Sequence, residues 1–314
     1  LFIRTEENVR LPAAYISIVL IWSTTSLALK WSAEAGVLAA VLGRMGITVA
    51  LAGLLAIVLG RRLLLHAAAV QLYLVGGIST FGTLMLICWG SRFIPAGWIS
   101  VIFGLTPILT SVLGAVFLNE RHVSARRIGA LLLSLAGLAV MFGEGTRIGP
   151  DAGWGIAANV LATLLYAGNL VWTKRLNASV DSLASMTGTF FVGLLLCEAA
   201  WALTGGDATR NFTVRSGAAI LYLGVVGSIV GYTLFYYLLR HLDTTRIAII
   251  SLMTPVTSLL VGHVFNAEPL TAAIWTGTAL VTLGLVWFEY GTVVAPLLAA
   301  ARNRLVRTTP SPGA

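Results

Sequence analysis

The 314-residue chain is 58% hydrophobic and only 10% charged, far from the roughly 25% charged residues of a soluble domain. Its formal net charge of +8 would suit a nucleic-acid partner in a soluble protein. Here the basic residues stand between apolar runs, where anionic lipid headgroups and the insertion machinery read them.

In chain order, breaks at Gly, Pro and charge clusters predict membrane-spanning helices over 12–29, 36–60, 67–90, 95–118, 124–143, 152–173, 183–204, 216–239, 244–266 and 270–289. Each run is long enough to cross a hydrocarbon core of about 30 Å. The first is read as a helix rather than a cleaved leader, because no small-residue cleavage site with a soluble domain follows it. Connections are mostly short, so successive helices are expected to be antiparallel neighbours with no extramembrane domain. Cys88 and Cys197 fall inside spans without metal-ligand spacing and read as small core residues.

With ten spans, the termini and the even-numbered connections share one side and carry fourteen of the twenty Lys and Arg, from Arg4 to the Arg302–Arg307 tail. The other side carries five, namely Lys30, Arg92, Arg147, Arg210 and Arg215, and Arg44 lies within a span. The asymmetry predicts cytoplasmic N- and C-termini in a bacterial inner membrane.

The chain repeats itself. An offset of 148 residues lays Gly76 on Gly224, Arg92 on Arg240, Thr106-Pro107 on Thr254-Pro255, Gly114 on Gly262, Phe117 on Phe265, Glu120 on Glu268 and Gly129 on Gly277. An offset of 144 lays Trp22 on Tyr166 and Lys30 on Lys174. Shared apolar composition produces chance Leu and Val matches, but not a Thr-Pro followed at a fixed distance by Glu. Five helices per half is an odd number, so the second half must insert upside down. The expected fold is an all-α integral membrane protein with ten transmembrane helices as two inverted five-helix repeats, 1–146 and 147–295, and a cytoplasmic basic tail, 296–314. A duplication kept only for packing is the alternative.

The stretch from Arg92-Phe-Ile-Pro-Ala-Gly97 through Leu105-Thr-Pro107 to Phe117-Leu-Asn-Glu120, then Gly129 and Gly137, resembles the core signature of EamA-type members of the drug/metabolite transporter superfamily. Ile21-Trp22-Ser23 and Arg44 also fit. The resemblance implies two inverted EamA repeats, a central cavity open alternately to each side, and secondary transport, often export, of metabolites or amino acids. In the second half Leu242-Asp-Thr-Thr replaces Ile-Pro-Ala-Gly, so the two gates are not expected to be equivalent.

The helices that this resemblance sets round the cavity supply polar and aromatic candidates for substrate binding: Trp22, Ser26, Thr83, Trp89, Phe103, Tyr166, Asn169, Tyr232, Phe235, Tyr236 and Ser251. An aromatic pocket with a few hydrogen-bonding groups suits a largely apolar ligand. Trp89 and Tyr236, near span ends, have the interfacial belt as their alternative.

Pro107 and Pro255 each remove an amide donor in mid-span and free the carbonyls of Phe103 and Ser251, for which Thr106 and Thr254 are the expected partners. They read as hinges or cavity lining, or as packing kinks. Arg44 lies eight residues into its span, about 12 Å at 1.5 Å per residue. It either faces substrate or anchors its helix by reaching toward carbonyls or headgroups. Glu198 is a candidate proton-coupling group or a headgroup-level side chain. Glu120 and Glu268 read as turn closers, with a gate as the alternative, and Ser124 and Thr271 as caps of the helices that follow. Gly76, Gly77, Gly82, Gly224, Gly227 and Gly231 read as close-packing positions.

The expected partners are a small-molecule substrate and membrane lipid, with no nucleic acid, cofactor or metal; protons are a candidate coupling ion, and uniport is the alternative. His66, His122, His241 and His263 are scattered, and no metalloprotease, Gly-x-Ser-x-Gly or nucleotide-binding loop motif occurs. That weakens a membrane enzyme as the rival reading and removes ATP hydrolysis as a power source. A channel would more often show charged rings or a filter loop.

Overall fold

The structure, a computed structural model, describes residues 2–61, 63–118, 125–176, 180–205, 212–242 and 244–308. Among these, every regular element is helical: α1 (Phe2–Ser32), α2 (Val37–Val58), α3 (Ala67–Gly90), α4 (Ala96–Phe103), α5 (Thr106–Phe117), α6 (Ala125–Ile148), α7 (Ala152–Leu176), α8 (Ser182–Thr204), α9 (Val214–Tyr222), α10 (Gly231–His241), α11 (Thr244–Asn266) and α12 (Ala272–Thr308). Helices are what such apolar runs must form in lipid, where each backbone amide and carbonyl has to be satisfied within its own segment.

Nine segments among the described residues are long and apolar enough to cross a bilayer, α4 with α5 counting as one and α9 with the start of α10 as another. The expected fifth span, 124–143, is helical as α6 but is not among the nine. Glu120 and Ser124 lie outside the described residues. Large apolar side chains such as Ile57, Phe191 and Leu221 stand exposed on the outside of the bundle, a surface that lipid covers and water would not tolerate.

Local chemistry sets the helix ends. Asp181 caps α8 by accepting from the Leu183 amide at 3.2 Å, and Thr213 and Ser216 form a reciprocal capping box on α9. Thr271 accepts from the Ile274 amide at 3.3 Å at the start of α12, as expected of a cap.

The halves of the chain interlock. α3 packs on α7 and α8, α2 on α8, α1 on α11, and α4 on α11. Glycines permit the α3–α8 approach, because a methyl at Gly77 would meet the Val192 side chain at 2.5 Å and one at Gly188 the Tyr73 ring at 2.5 Å. Gly82 faces Leu165 more loosely, at 3.3 Å. α6 and α12 pair with each other at the side of the bundle.

Two helices depart from the sequence expectation. Span 216–239 is not one α-helix: between α9 and α10, Leu223–Val230 is a π-helix, in which the Ser228 hydroxyl donates to the Leu223 carbonyl five residues back at 3.0 Å. Span 95–118 is broken between α4 and α5 at 104–105, whereas α11 runs unbroken through Pro255. The paired prolines therefore differ. Pro107 stands in the first turn of α5, where no intrahelical partner for an amide exists, and Pro255 interrupts hydrogen bonding inside a continuous helix.

Candidate functional site

A cavity of about 720 Å³ runs through the middle of the bundle. α1 contributes Trp22, Thr25, Ser26 and Leu29, and α3 contributes Thr80, Thr83, Leu84 and Ile87. Both sets follow the i, i+3, i+4, i+7 spacing that puts side chains on one face of a helix. Arg44 enters from α2, while Ile99, Ser100, Phe103, Thr106, Pro107, Thr110 and Ser111 come from α4 and α5. The second half supplies Tyr166 and Lys174 from α7, Phe190 from α8, Gly227 from the π-helix, Tyr232 and Phe235 from α10, and Ser251, Thr254 and Pro255 from α11.

The wall is largely aromatic and hydroxylic. The Trp22 ring tilts against Phe235 with centroids 5.1 Å apart, and Phe103 lies 6.1 Å from Tyr166. Ser26 and Ser100 hydrogen-bond to each other across α1 and α4. The Phe103 carbonyl at the helix break accepts from the Thr106 hydroxyl at 2.7 Å, the pairing expected from sequence. No Asp or Glu lines the cavity among the described residues, and its two cationic side chains are Arg44 and Lys174.

The cavity has an open end and a closed one. It extends to Leu118 and Lys174, at the C-terminal ends of α5 and α7. At the opposite end a polar cluster joins α1, α4 and α11. Buried Glu268 accepts from the Lys30 ammonium at 3.1 Å, the Ala96 amide at 2.8 Å, the Gly97 amide at 3.4 Å and the Asn266 side chain at 2.9 Å. Lys30 also donates to the Ile94 carbonyl at 3.0 Å. Beside it Arg215 binds Glu34 at 2.6 Å and lies over the Trp31 ring. Glu268 thus closes its turn and also seats the N-terminus of α4, where free amides attract a carboxylate.

Several expectations need correction. Trp89 does not line the cavity: it is 38% exposed on the outer surface, edge-on to Phe93, because its position on α3 faces away from the Thr80–Ile87 stripe. Asn169 does not line the cavity either, although Tyr166, three residues before it on α7, does. Thr254 does not serve the Ser251 carbonyl, since its hydroxyl donates back to Ile250 at 2.7 Å. Glu198 is exposed on α8 and does not line the cavity. The Tyr236 side chain lies outside the described residues. Thr25, Thr80, Ser100, Thr110 and Phe190 were missed; helical spacing from Trp22 and Thr83 would have found Thr25 and Thr80.

The comparisons with known proteins agree with this architecture. A solved crystal structure, 20% identical in sequence, superposes with a TM-score of 0.63 over 92% of this chain and 99% of that one, which shows the fold. An uncharacterized transporter of Archaeoglobus fulgidus is 28% identical over 67% of this chain and 72% of its own. The uncharacterized inner membrane transporter YedA of Escherichia coli is 24% identical over 77% of this chain and 78% of its own. A protein of Salmonella typhimurium named a probable amino-acid metabolite efflux pump is 26% identical over 68% of this chain and 74% of its own. The model of the EamA-like transporter family matches twice, at residues 13–143 and 153–289, and the chain belongs to that family.

Proposed function

We propose that this protein is a secondary carrier that exports a small organic metabolite across the inner membrane by alternating access. Its ten helices would form two inverted five-helix halves, with both termini in the cytoplasm and the cavity wall as substrate site. The observation that carries the reading is the cavity itself, walled by helices of both halves, reaching one end of the bundle and capped at the other by the Glu268 cluster. Export of an amino-acid-like compound is supported by the name of the Salmonella relative and by that of a probable terminal-alkyne amino-acid exporter of Streptantibioticus cattleyicolor, 28% identical. The excess of basic residues beside the open end supports an inward-facing conformer.

The test is efflux and counterflow of a labelled amino-acid and metabolite panel in proteoliposomes, with and without a pH gradient. A carrier saturates and exchanges label. Flux that rises linearly with concentration, or no flux for any compound, would remove the reading.

A further inference from the structure

Three cations of this chain have surroundings that can be compared directly. Lys30 is held by Glu268 and the Ile94 carbonyl. Arg215 is held by two bonds to Glu34 and stacks on Trp31. Arg44 is the most buried of the three, with 9% of its surface exposed, and among the described residues no carboxylate pairs with it. Its Nε is buried without a hydrogen-bond partner.

A guanidinium keeps its proton in proteins, so burial cannot be relieved by neutralisation. An anchoring arginine would be expected to spend its donors on carbonyls or a carboxylate, as Lys30 and Arg215 do. Arg44 instead borders the cavity toward its closed end, about two turns into α2, where the Ser26–Ser100 pair and Thr83 also face. Its backbone is fixed by packing: the Thr48 hydroxyl bonds the Arg44 carbonyl at 2.8 Å, and Gly224 of the π-helix lets α2 approach closely.

We infer that Arg44 is the carboxylate-binding residue of the cavity, and that the substrate is a carboxylate-bearing molecule with an apolar or aromatic body. This rests on the carrier reading above. The planar fork of Arg44 matches a carboxylate with two parallel hydrogen bonds. The rings of Trp22, Phe103, Tyr166, Phe190 and Phe235 receive the remainder, and 720 Å³ accommodates a molecule of that size. The surroundings favour a carboxylate over a phosphate, since a single guanidinium at the deep end faces a mainly apolar wall. A cationic substrate would meet the Arg44 guanidinium with no acid among the described residues that line the cavity.

The test uses the full-length protein in nanodiscs and proteoliposomes with matched probes: 3-phenylpropionate against phenethylamine, indole-3-propionate against tryptamine, and isocaproate against isoamylamine, with L-phenylalanine and inorganic phosphate alongside. The acid of at least one pair should bind, and compete with its own labelled flux, about 10- to 100-fold better than the amine. Arg44→Gln should bring that preference to near parity, and Arg44→Lys should keep part of it. Should Arg44→Gln fail to fold, the wild-type pairs still decide. Amines handled as well as acids, phosphate binding as tightly as the acids, or an Arg44→Gln protein that keeps the preference would each overturn the inference while leaving the carrier reading standing. Absence of flux for probes of every charge would instead sink the carrier reading beneath it.

Discussion

Lys30 Nζ lies 3.1 Å from Glu268 Oε1 and joins the end of α1 to the turn after α11, 238 residues away in sequence. The carboxylate is 7% exposed and the ammonium 26%. Removing one partner of a fully buried pair costs about 3–5 kcal/mol, and exposure of the lysine lowers that here to roughly 1–3 kcal/mol. Glu268→Ala, which also strands the Ala96 and Gly97 amides, is predicted to lower the melting temperature in detergent more than Lys30→Ala. Equal effects would mean that the amides contribute nothing.

The same cluster closes one end of the cavity, which gives a second prediction. Glu268→Gln removes the charge while preserving the shape, and should raise labelling of a cysteine at Leu29, a cavity residue near that end, by a reagent applied from the Lys30 side. The background lacks Cys88 and Cys197. Unchanged labelling would make the cluster a fixed brace and not a gate.

Gly262 lies so close to Glu268 that a methyl group there would collide with Oε2. Gly262→Ala is predicted to destabilise the protein by about 1–3 kcal/mol, and by much less in a Glu268→Ala background. A double-mutant cycle measures this coupling directly. Strictly additive losses would show that Gly262 acts elsewhere.

The prolines are predicted to be unequal. Pro255→Ala restores an amide facing the Ser251 carbonyl within unbroken α11 and should straighten it, shifting cavity accessibility measured by labelling at Phe103 and Ser251. Pro107→Ala adds an amide in the first turn of α5, where an α-helix has no use for one, and should change labelling far less. Equal and opposite shifts would restore the symmetric picture that the repeat alone suggests.

Orientation follows from the charge asymmetry, fourteen basic residues against five. A fluorescent protein fused to the C-terminus should fluoresce, and a phosphatase fused there should be inactive. An active phosphatase would mean that the number of crossings has been misread.

The positions of the helices were legible because an apolar run of membrane length has few other fates. Much of the cavity was legible too: Trp22, Ser26, Tyr166 and Ser251 are polar or aromatic side chains in otherwise apolar helices, and the bundle turns them inward together. Composition could not say which face Trp89 or Asn169 occupies, since facing depends on the rotation of α3 and α7 against neighbours that a single sequence does not display. Glu268 was read as a local turn, and its main partner could not be foreseen because Lys30 belongs to the other end of the chain. The π-helix left no signal beyond glycines that a packing face would equally explain.

That π-helix gives the second half a reserve of length. Its wider turns take up about one residue more than α-helical turns, so deleting a single residue between Leu223 and Val230 would restore regular α-helix while α10 stays close to its present facing, with Tyr232 and Phe235 still on the cavity wall. Unbroken α11 has no such reserve, and because each residue in a regular helix rotates the remainder by about 100°, a one-codon loss inside it would swing everything beyond by about a quarter turn. Two walls of the same cavity thus differ in what a change of length does to them.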